Sequence, residues 1–158
     1  MSSPDPAFMR RAIALARESV ATAVGGPFGA VVVREGEVVA VGQNLVTSSG
    51  DPTAHAEVVA IRAACERLGD FNLSGCELYA SSEPCPMCLS AIHWARMDRL
   101  WYACSRADAA DAGFDDALLY AELALDPDRR SLPSTQLLRD EGLASFRDWA
   151  AKADRTPY

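Results

Sequence analysis

The sequence predicts a three-layer α/β/α sandwich built around a mixed sheet. Helix and strand patterns follow one another in the order αββαβαβ. The first two strands form a predicted hairpin, and the last two flank a helix, which implies a parallel crossover. The 158 residues suit one domain, which at this length buries roughly 70% of its unfolded surface without disulfide bonds. We therefore expect a single domain over residues 1–158.

The first part of the chain predicts a helix followed by a hairpin. Asp5 and Pro6 are typical of an N-cap and a first helical residue, and apolar residues then recur at helical spacing as far as Gly25-Gly26-Pro27. The stretch "FGAVVVREGEVVAVGQN" contains two β-rich runs separated by Glu35-Gly36, which is a hairpin signal. The polar stretch "VTSSGDPT" predicts a loop.

The remaining elements follow from helix formers and β-rich runs. "AHAEVVAIRAACERLG" predicts a second helix that ends at Gly69, a plausible C-cap. "CELYASS" and "RLWYACS" predict strands, and "PCPMCLSAIHWARM" predicts the helix between them. After Ala107 the pattern weakens: "AADAGFDDALLYAELAL" is partly helical, and "LASFRDWAAKA" predicts a last helix.

Composition and charge favour a small substrate. The formal charge of −7 repels a phosphate backbone, and no Lys/Arg cluster exceeds a short pair, so we expect no nucleic-acid partner. No apolar run is long enough to cross a bilayer, and no secretory leader pattern opens the chain, so we expect a soluble, cytoplasmic protein. Five cysteines in such a chain indicate reduced thiols or a metal rather than a disulfide framework.

Two separated motifs together predict a zinc site. Cys85 and Cys88 lie three residues apart at the start of a predicted helix, so their thiols share one face, and the helix dipole favours the thiolate form. His55 lies at the start of another helix. One imidazole and two thiolates supply three ligands, which is the number that leaves a catalytic zinc ion one position for water.

Glu57 is the predicted proton carrier beside that ion. Residues two apart on a helix point about 200° apart, so His55 and Glu57 cannot both face one ion from the side of the helix. The ion is therefore expected off the helix N-terminus, where Glu57 reaches the bound water rather than the metal. Zinc lowers the pKa of that water toward ~7, and a neighbouring carboxylate can move its protons. H-x-E followed by P-C-x-x-C is the signature of zinc nucleobase deaminases.

A structural zinc site remains an alternative, because it needs only one more protein ligand. The candidates are Cys65, Cys76 and Cys104, but each falls in an apolar helix or strand pattern in which a buried, inert cysteine is expected. His93, inside the third helix, is interpreted as structural.

With these residues assembled, the chain resembles the cytidine deaminase superfamily, and within it the bacterial guanine deaminases. The likeness covers "GGPFGAVVV", "NLVTSSGDPTAHAEV", "SSEPCPMCLSAIHWAR" and "DAADAGFDD". The zinc motif indicates only the superfamily, and the narrower resemblance depends on Trp94, on "AGFDD" and on the terminal Tyr158. It implies a cytidine deaminase-like sandwich with five strands in its sheet, and conversion of guanine and water to xanthine and ammonia.

The resemblance also implies roles for individual residues. His55, Cys85 and Cys88 would hold one Zn²⁺ per subunit, and Glu57 and Asp116 would be the two catalytic carboxylates. Five residues would contact the purine: Phe28, Asn44, Ala56, Trp94 and Tyr158. The implied assembly is a homodimer in which residues 140–158, approximately, are swapped so that Tyr158 closes the partner's site.

Several other functions stay open on the sequence alone. A guanosine deaminase shares the zinc motifs and a "GFDD"-like segment. A tRNA adenosine deaminase uses the same chemistry but suits the charge of −7 poorly. Cytosine or amino-triazine rings are possible substrates, and a non-catalytic zinc-stabilised module is the alternative from a different class.

Overall fold

A computed structural model of the chain describes residues 3–157. These residues fall into two compact units, of which the first ends at Asp116 and the second begins at Ala117. The first unit holds α1 (Pro6–Ala21), β1 (Gly29–Arg34), β2 (Glu37–Gln43), α2 (Val46–Ser49), α3 (Ala56–Leu68), β3 (Cys76–Ser82), α4 (Pro86–Trp94), β4 (Arg99–Cys104) and α5 (Arg106–Asp111). The second holds α6 (Ala117–Leu123), a short 3₁₀ turn at Pro127–Arg129 and α7 (Arg139–Ala151).

The first unit is a mixed sheet with helices on both faces. Its strand order is β2-β1-β3-β4, in which β1 runs antiparallel to both β2 and β3, and β3 and β4 are parallel. On one face α1 packs on the strands, with Ala12 buried against Val31, Val33 and Tyr79. On the other face α3 and α4 cover a second cluster, formed by Ala30, Val32, Leu78, Ala60, Ala64 and Ile92 among others. The predicted three layers are therefore present.

The predicted fifth strand is wrong. The sheet has four strands, and within residues 105–157 the structure has only helical elements and loops. The reason lies in composition, because the chain from Ser105 onward contains no valine or isoleucine and is rich in alanine, leucine and aspartate. Such a segment has few of the β-branched residues that suit a pleated, half-buried surface.

Short-range sequence features determine where most of the helices and strands begin and end. Asp5 caps α1 by accepting a hydrogen bond at Oδ1 from the Ala7 N–H (2.8 Å), as predicted. Glu35 (φ 53°) and Gly36 (φ 80°) form the two-residue hairpin turn, whose positive φ angles suit glycine. Two boundaries differ from prediction, since α1 ends at Ala21, before the glycines, and the predicted loop "VTSSGDPT" contains the one-turn helix α2.

The second unit is helical and has little interior of its own. None of its described residues, 117–157, is fully buried. Its helices instead expose large apolar side chains, namely Leu118, Leu119, Leu123, Phe146 and Trp149. Within residues 3–157, no helix combines the length and the apolar character needed to cross a bilayer.

Candidate metal centre and active site

The N-termini of α3 and α4 bring the two sequence motifs together. His55 is the N-cap of α3 and Cys85 is the N-cap of α4, and neither side chain makes a capping hydrogen bond. The His55 Nδ1 atom lies 3.6 Å from the Cys85 Sγ and 3.5 Å from the Cys88 Sγ. Both helix starts therefore direct their side chains at one point rather than at their own backbone.

This trio has the spacing of a tetrahedral zinc site. The three ligand atoms of His55, Cys85 and Cys88 lie within 4.8 Å of one another. Nitrogen and sulfur bound to zinc at about 2.05 and 2.3 Å with tetrahedral angles are about 3.6 Å apart, which matches both observed distances. Cys65, Cys76 and Cys104 belong to no such group in the described part of the chain, so no fourth protein ligand is at hand.

The pKa values of the two cysteines are shifted in opposite directions. A hydrogen bond from the Cys88 thiol, supported by His55, lowers the pKa of Cys85 to about 4. The resulting Cys85 thiolate raises the pKa of Cys88, and burial adds to this effect. The same thiolate raises the pKa of His55 through its hydrogen bond, against the opposing effect of burial. Since both sulfurs bind zinc as thiolates, metal binding displaces the Cys88 proton.

Glu57 lies beside the trio rather than within it. It occupies the first turn of α3, only 6% of its surface is exposed, and its Oε2 accepts a hydrogen bond of 3.5 Å from the Cys88 Sγ. Burial raises the pKa of Glu57. A carboxyl group in this position is close enough to exchange protons with a molecule bound next to the sulfurs.

Three of the predicted substrate-contacting residues lie near the start of α3. Asn44 is buried, and its N–H donates to the Phe28 carbonyl (3.1 Å), so the two residues are neighbours at the end of the hairpin. The next residue along, Leu45, bonds to the Ala54 carbonyl (2.9 Å), directly before His55. Ala56 is the first residue of α3 and is fully buried.

Asp116, the last residue of the first unit, is electrostatically linked to the trio. Burial raises the pKa of Asp116, the nearby Arg106 guanidinium opposes this shift, and the Cys85 thiolate reinforces it. The Asp116 carboxylate therefore lies within the electrostatic field of Cys85, and its catalytic role stays a prediction.

Trp94 lies at the surface of the first unit, and Tyr158 lies outside the described residues. Trp94 is the last residue of α4, 66% of its surface is exposed, and it lines a shallow surface depression with Ser90 and His93. A role for either aromatic side chain in binding a substrate therefore stays a prediction.

Two residues near the site were not predicted. Phe114 packs edge-on against Phe28, with ring centroids 4.9 Å apart. It belongs to the "AGFDD" segment, in which Asp116 is the predicted site residue. Ser82 ends β3, three residues before Cys85, and within residues 3–157 its buried hydroxyl has no hydrogen-bond partner. Nothing in the sequence distinguishes this serine from its neighbour Ser81.

Comparison with known families decides the relationship of the chain. The family described as "Cytidine and deoxycytidylate deaminase zinc-binding region" matches residues 2–104, which include His55, Glu57 and both helix-start cysteines. The chain belongs to this cytidine and deoxycytidylate deaminase family. The family's zinc-binding region and the geometry of the trio agree on one zinc ion per chain.

Individual proteins of known structure or function resemble this chain to different extents. Guanine deaminase of Bacillus subtilis is 50% identical over 96% of this chain and 97% of its own. The X-ray structure of a B. subtilis guanine deaminase has a TM-score of 0.95, with 49% identity over 99% of both chains. Guanine deaminase from Nitrosomonas europaea has a TM-score of 0.69 and 33% identity, covering 74% of this chain and 68% of that one. A tRNA-specific adenosine deaminase of Aquifex aeolicus is 46% identical over only 49% of this chain and 51% of its own.

Proposed function

We propose that the protein hydrolyses guanine to xanthine and ammonia. The observation that carries this proposal is the likeness to the B. subtilis guanine deaminase, which extends over 96% of this chain rather than over the zinc motifs alone. The donor set of His55, Cys85 and Cys88, with the Glu57 carboxyl group beside it, supplies the parts that such a reaction needs.

The residues that would hold zinc are His55, Cys85 and Cys88. When bound, the ion supplies Lewis acidity that allows a water molecule to lose a proton near neutral pH. The chain supplies two anionic sulfurs and a neutral imidazole, which balance the charge of Zn²⁺. The absence of a fourth ligand atom from this group in residues 3–157 supports a catalytic rather than a purely structural centre.

Glu57 moves the protons of the reaction. Its carboxylate accepts a proton from the attacking water and delivers it to the ring nitrogen beside the amino-bearing carbon of guanine. It then takes the remaining proton of the added hydroxyl group and passes it to the amino group, which leaves as ammonia. The burial of Glu57, and the rise in its pKa that burial causes, suit a group that must hold a proton between these two steps.

Other residues hold the purine. Asp116 binds the guanine edge and assists departure of the amine, while Asn44 hydrogen-bonds the rim of the base. Phe28, supported by Phe114, provides a flat apolar surface for one face of the ring, and Ala56 lies at the start of α3 beside it.

The active protein is proposed to be a homodimer with swapped C-terminal segments. Residues from about 140 to 158 of one chain would cover the partner's site, with Tyr158 as the closing side chain and Trp94 completing the wall. The exposed Phe146 and Trp149 of α7 support this proposal, because apolar side chains of this size usually have a covering partner. Such a cover would exclude water other than the nucleophile.

Guanosine is the main alternative substrate, since a nucleoside would require room for its ribose past the cover. The deciding experiment measures ammonia and purine products from the zinc-loaded protein with guanine and with guanosine under matched conditions. We expect xanthine and ammonia in equal amounts from guanine. For guanosine we expect kcat/KM to be at least tenfold lower, because even one extra methylene group that does not fit a pocket has an effect of about this size. No turnover of guanine would overturn the proposal.

The remaining alternatives have less support. The tRNA-specific adenosine deaminase similarity covers about half of this chain, and the charge of −7 opposes a nucleic-acid substrate. Cytosine and amino-triazine rings belong in the same substrate panel as minor candidates. A non-catalytic zinc module would keep all its properties when Glu57 is replaced, which separates it from an enzyme.

A further inference from the structure

The side-chain amide of Asn44 has its direction fixed by the backbone. Its Oδ1 accepts hydrogen bonds from the Gly26 N–H (3.2 Å) and from the Val46 N–H (3.2 Å). Two N–H donors can face only an oxygen, so the Nδ2 group must point the other way. Asn44 therefore offers a hydrogen-bond donor, not an acceptor, to whatever lies beyond it.

The main chain of Asn44 is held from a second side by helix α1. Ser19 lies on the buried face of α1 with 0% of its surface exposed, and its Oγ donates to the Asn44 carbonyl oxygen (3.4 Å). Buried hydroxyl groups normally have a partner, and here the partner is the carbonyl of Asn44. Ser19 thereby links the helix on one face of the sheet to the residue that ends the hairpin.

The turn that follows α1 packs directly against the carbonyl group of Asn44. The Ser19 carbonyl accepts from the Val24 N–H (3.1 Å), which brings Gly25 against Asn44. A Cβ atom at Gly25 would lie 1.9 Å from the Asn44 carbonyl oxygen and 2.7 Å from its Oδ1. Only glycine leaves room there, so the position of Asn44 depends on α1 and on this turn together.

We infer that Ser19 is a positioning residue of the site: it holds the main chain of Asn44 and so fixes the direction in which Asn44 donates a hydrogen bond to an acceptor atom of the bound base. The inference rests on the proposed function, in which Asn44 contacts the purine. Guanine carries acceptors at its carbonyl oxygen and at unprotonated ring nitrogens, so a donor with a fixed direction restricts the orientations in which the base can bind. Ser19 itself contacts no substrate.

The first test replaces Ser19 with alanine. Loss of one neutral hydrogen bond that positions Asn44 should raise KM for guanine by about three- to tenfold and leave kcat within about twofold. Ser19→Cys keeps a weak donor of similar size and should give a KM between those of wild type and alanine. The matched control is Tyr79→Phe, which removes the hydroxyl group that accepts from Asp5 N–H (3.2 Å) at the opposite end of α1.

The control separates positioning from stability. Both Ser19→Ala and Tyr79→Phe loosen α1 and should lower the melting temperature, but only Ser19→Ala should raise KM. If wild type converts guanine and the KM of Ser19→Ala equals that of Tyr79→Phe, the inference is wrong while the proposed function stands. If wild type does not convert guanine, the proposed function fails and the inference fails with it.

A second variant tests the donor itself. Asn44→Asp keeps an oxygen for the Gly26 and Val46 N–H groups but replaces the Nδ2 donor with an acceptor. We expect zinc content close to that of wild type, a lower melting temperature because the new carboxylate is buried, and kcat/KM for guanine reduced at least about tenfold. Wild-type kcat/KM in this variant would show that no donor from Asn44 is used and would overturn the inference.

Discussion

At the scale of single residues, Glu57 is a carboxyl group that the fold keeps almost out of water. Only 6% of its surface is exposed, burial raises its pKa, and its Oε2 accepts a hydrogen bond from Cys88. An unsolvated carboxyl group costs stability and is retained where its proton affinity is useful. Because Glu57 lies beside His55, Cys85 and Cys88, it can exchange protons with a molecule bound at these three residues.

Replacing Glu57 with glutamine should separate chemistry from folding. Glutamine has nearly the same size but cannot accept the proton, so kcat for guanine should fall at least about 100-fold while each chain keeps one zinc ion. Ammonia release and metal analysis measure the two quantities. Glu66→Gln, an exposed change on the same helix, is the control and should leave both unchanged. Activity of Glu57→Gln within a few-fold of wild type would contradict its proposed role.

Cys85 should show unusual acidity in the zinc-free protein. Because its folded pKa is about 4, below its ordinary value, the thiolate persists as the pH falls until that value is approached. Alkylation by iodoacetamide at pH 6, followed by peptide mass spectrometry, should therefore label Cys85 ahead of the exposed Cys104. Zinc loading should protect Cys85. Labelling of Cys85 only at alkaline pH would contradict this account of the trio.

The three metal-binding residues could be predicted from the sequence, but the residues that surround them could not. His55, Cys85 and Cys88 were predictable because thiolates three apart and an imidazole at helix starts are defined by residue type and spacing. Ser82 and Phe114 were missed because a serine in a strand or a phenylalanine in a loop is ordinary until its neighbours are known. Trp94, predicted to wall the base, is largely exposed in the described part of this chain, and its role stays a prediction.

At the scale of elements, the site depends on how closely α3 approaches the sheet. Gly42 in β2 faces the first turn of α3, and a Cβ atom there would lie 2.1 Å from the Ala56 carbonyl oxygen and 2.6 Å from the Ala60 N. The same turn of helix carries Glu57 and follows His55. Because Gly42 has no side chain, α3 can approach the sheet closely enough to place His55 and Glu57 at the site.

Gly42→Ala should displace the start of α3. We expect overpacking to lower the free energy of unfolding by about 1–3 kcal/mol, and the shifted imidazole to weaken zinc binding at least about tenfold. Denaturant titration and competition with a zinc chelator measure these effects. Gly142→Ala is the matched control, because a Cβ in α7 meets no atom within 4 Å and should leave zinc affinity unchanged. Equal zinc affinity in both variants would contradict the role of Gly42.

Element prediction succeeded where the signal was local. The capped start of α1 and the hairpin turn at Glu35 and Gly36 are short-range features, and both were confirmed. The fifth strand was expected from the resemblance alone, and the alanine- and leucine-rich segment after Ser105 forms helices instead. The amino-acid composition of this segment predicts no strand, and it agrees with the structure better than the resemblance does.

At the scale of the whole molecule, the proposed swap makes activity depend on two chains. Removing residues 154–158 should reduce guanine turnover about 100-fold or more, through loss of ordering over the base, while zinc content and the melting temperature stay close to wild type. Turnover assays and calorimetry on the truncated protein test this. Full activity after truncation would contradict the role of the tail.

A mixing experiment tests the swap itself. The Glu57→Gln chain has an intact tail and an inactive site, whereas the truncated chain has an intact site and no cover. Refolding equal amounts together should restore up to about one quarter of wild-type activity, since about half of the dimers are mixed and each has one complete site. Mixing without refolding is the control. No recovery in the refolded mixture would contradict a swapped arrangement.

The most direct test of the central claim is zinc K-edge X-ray absorption on the metal-loaded protein. One imidazole and two thiolates predict two sulfur scatterers at about 2.3 Å and two nitrogen or oxygen scatterers at about 2.0 Å, one of them from outside the protein. Three or four sulfur scatterers, or a protein that retains no zinc, would contradict it.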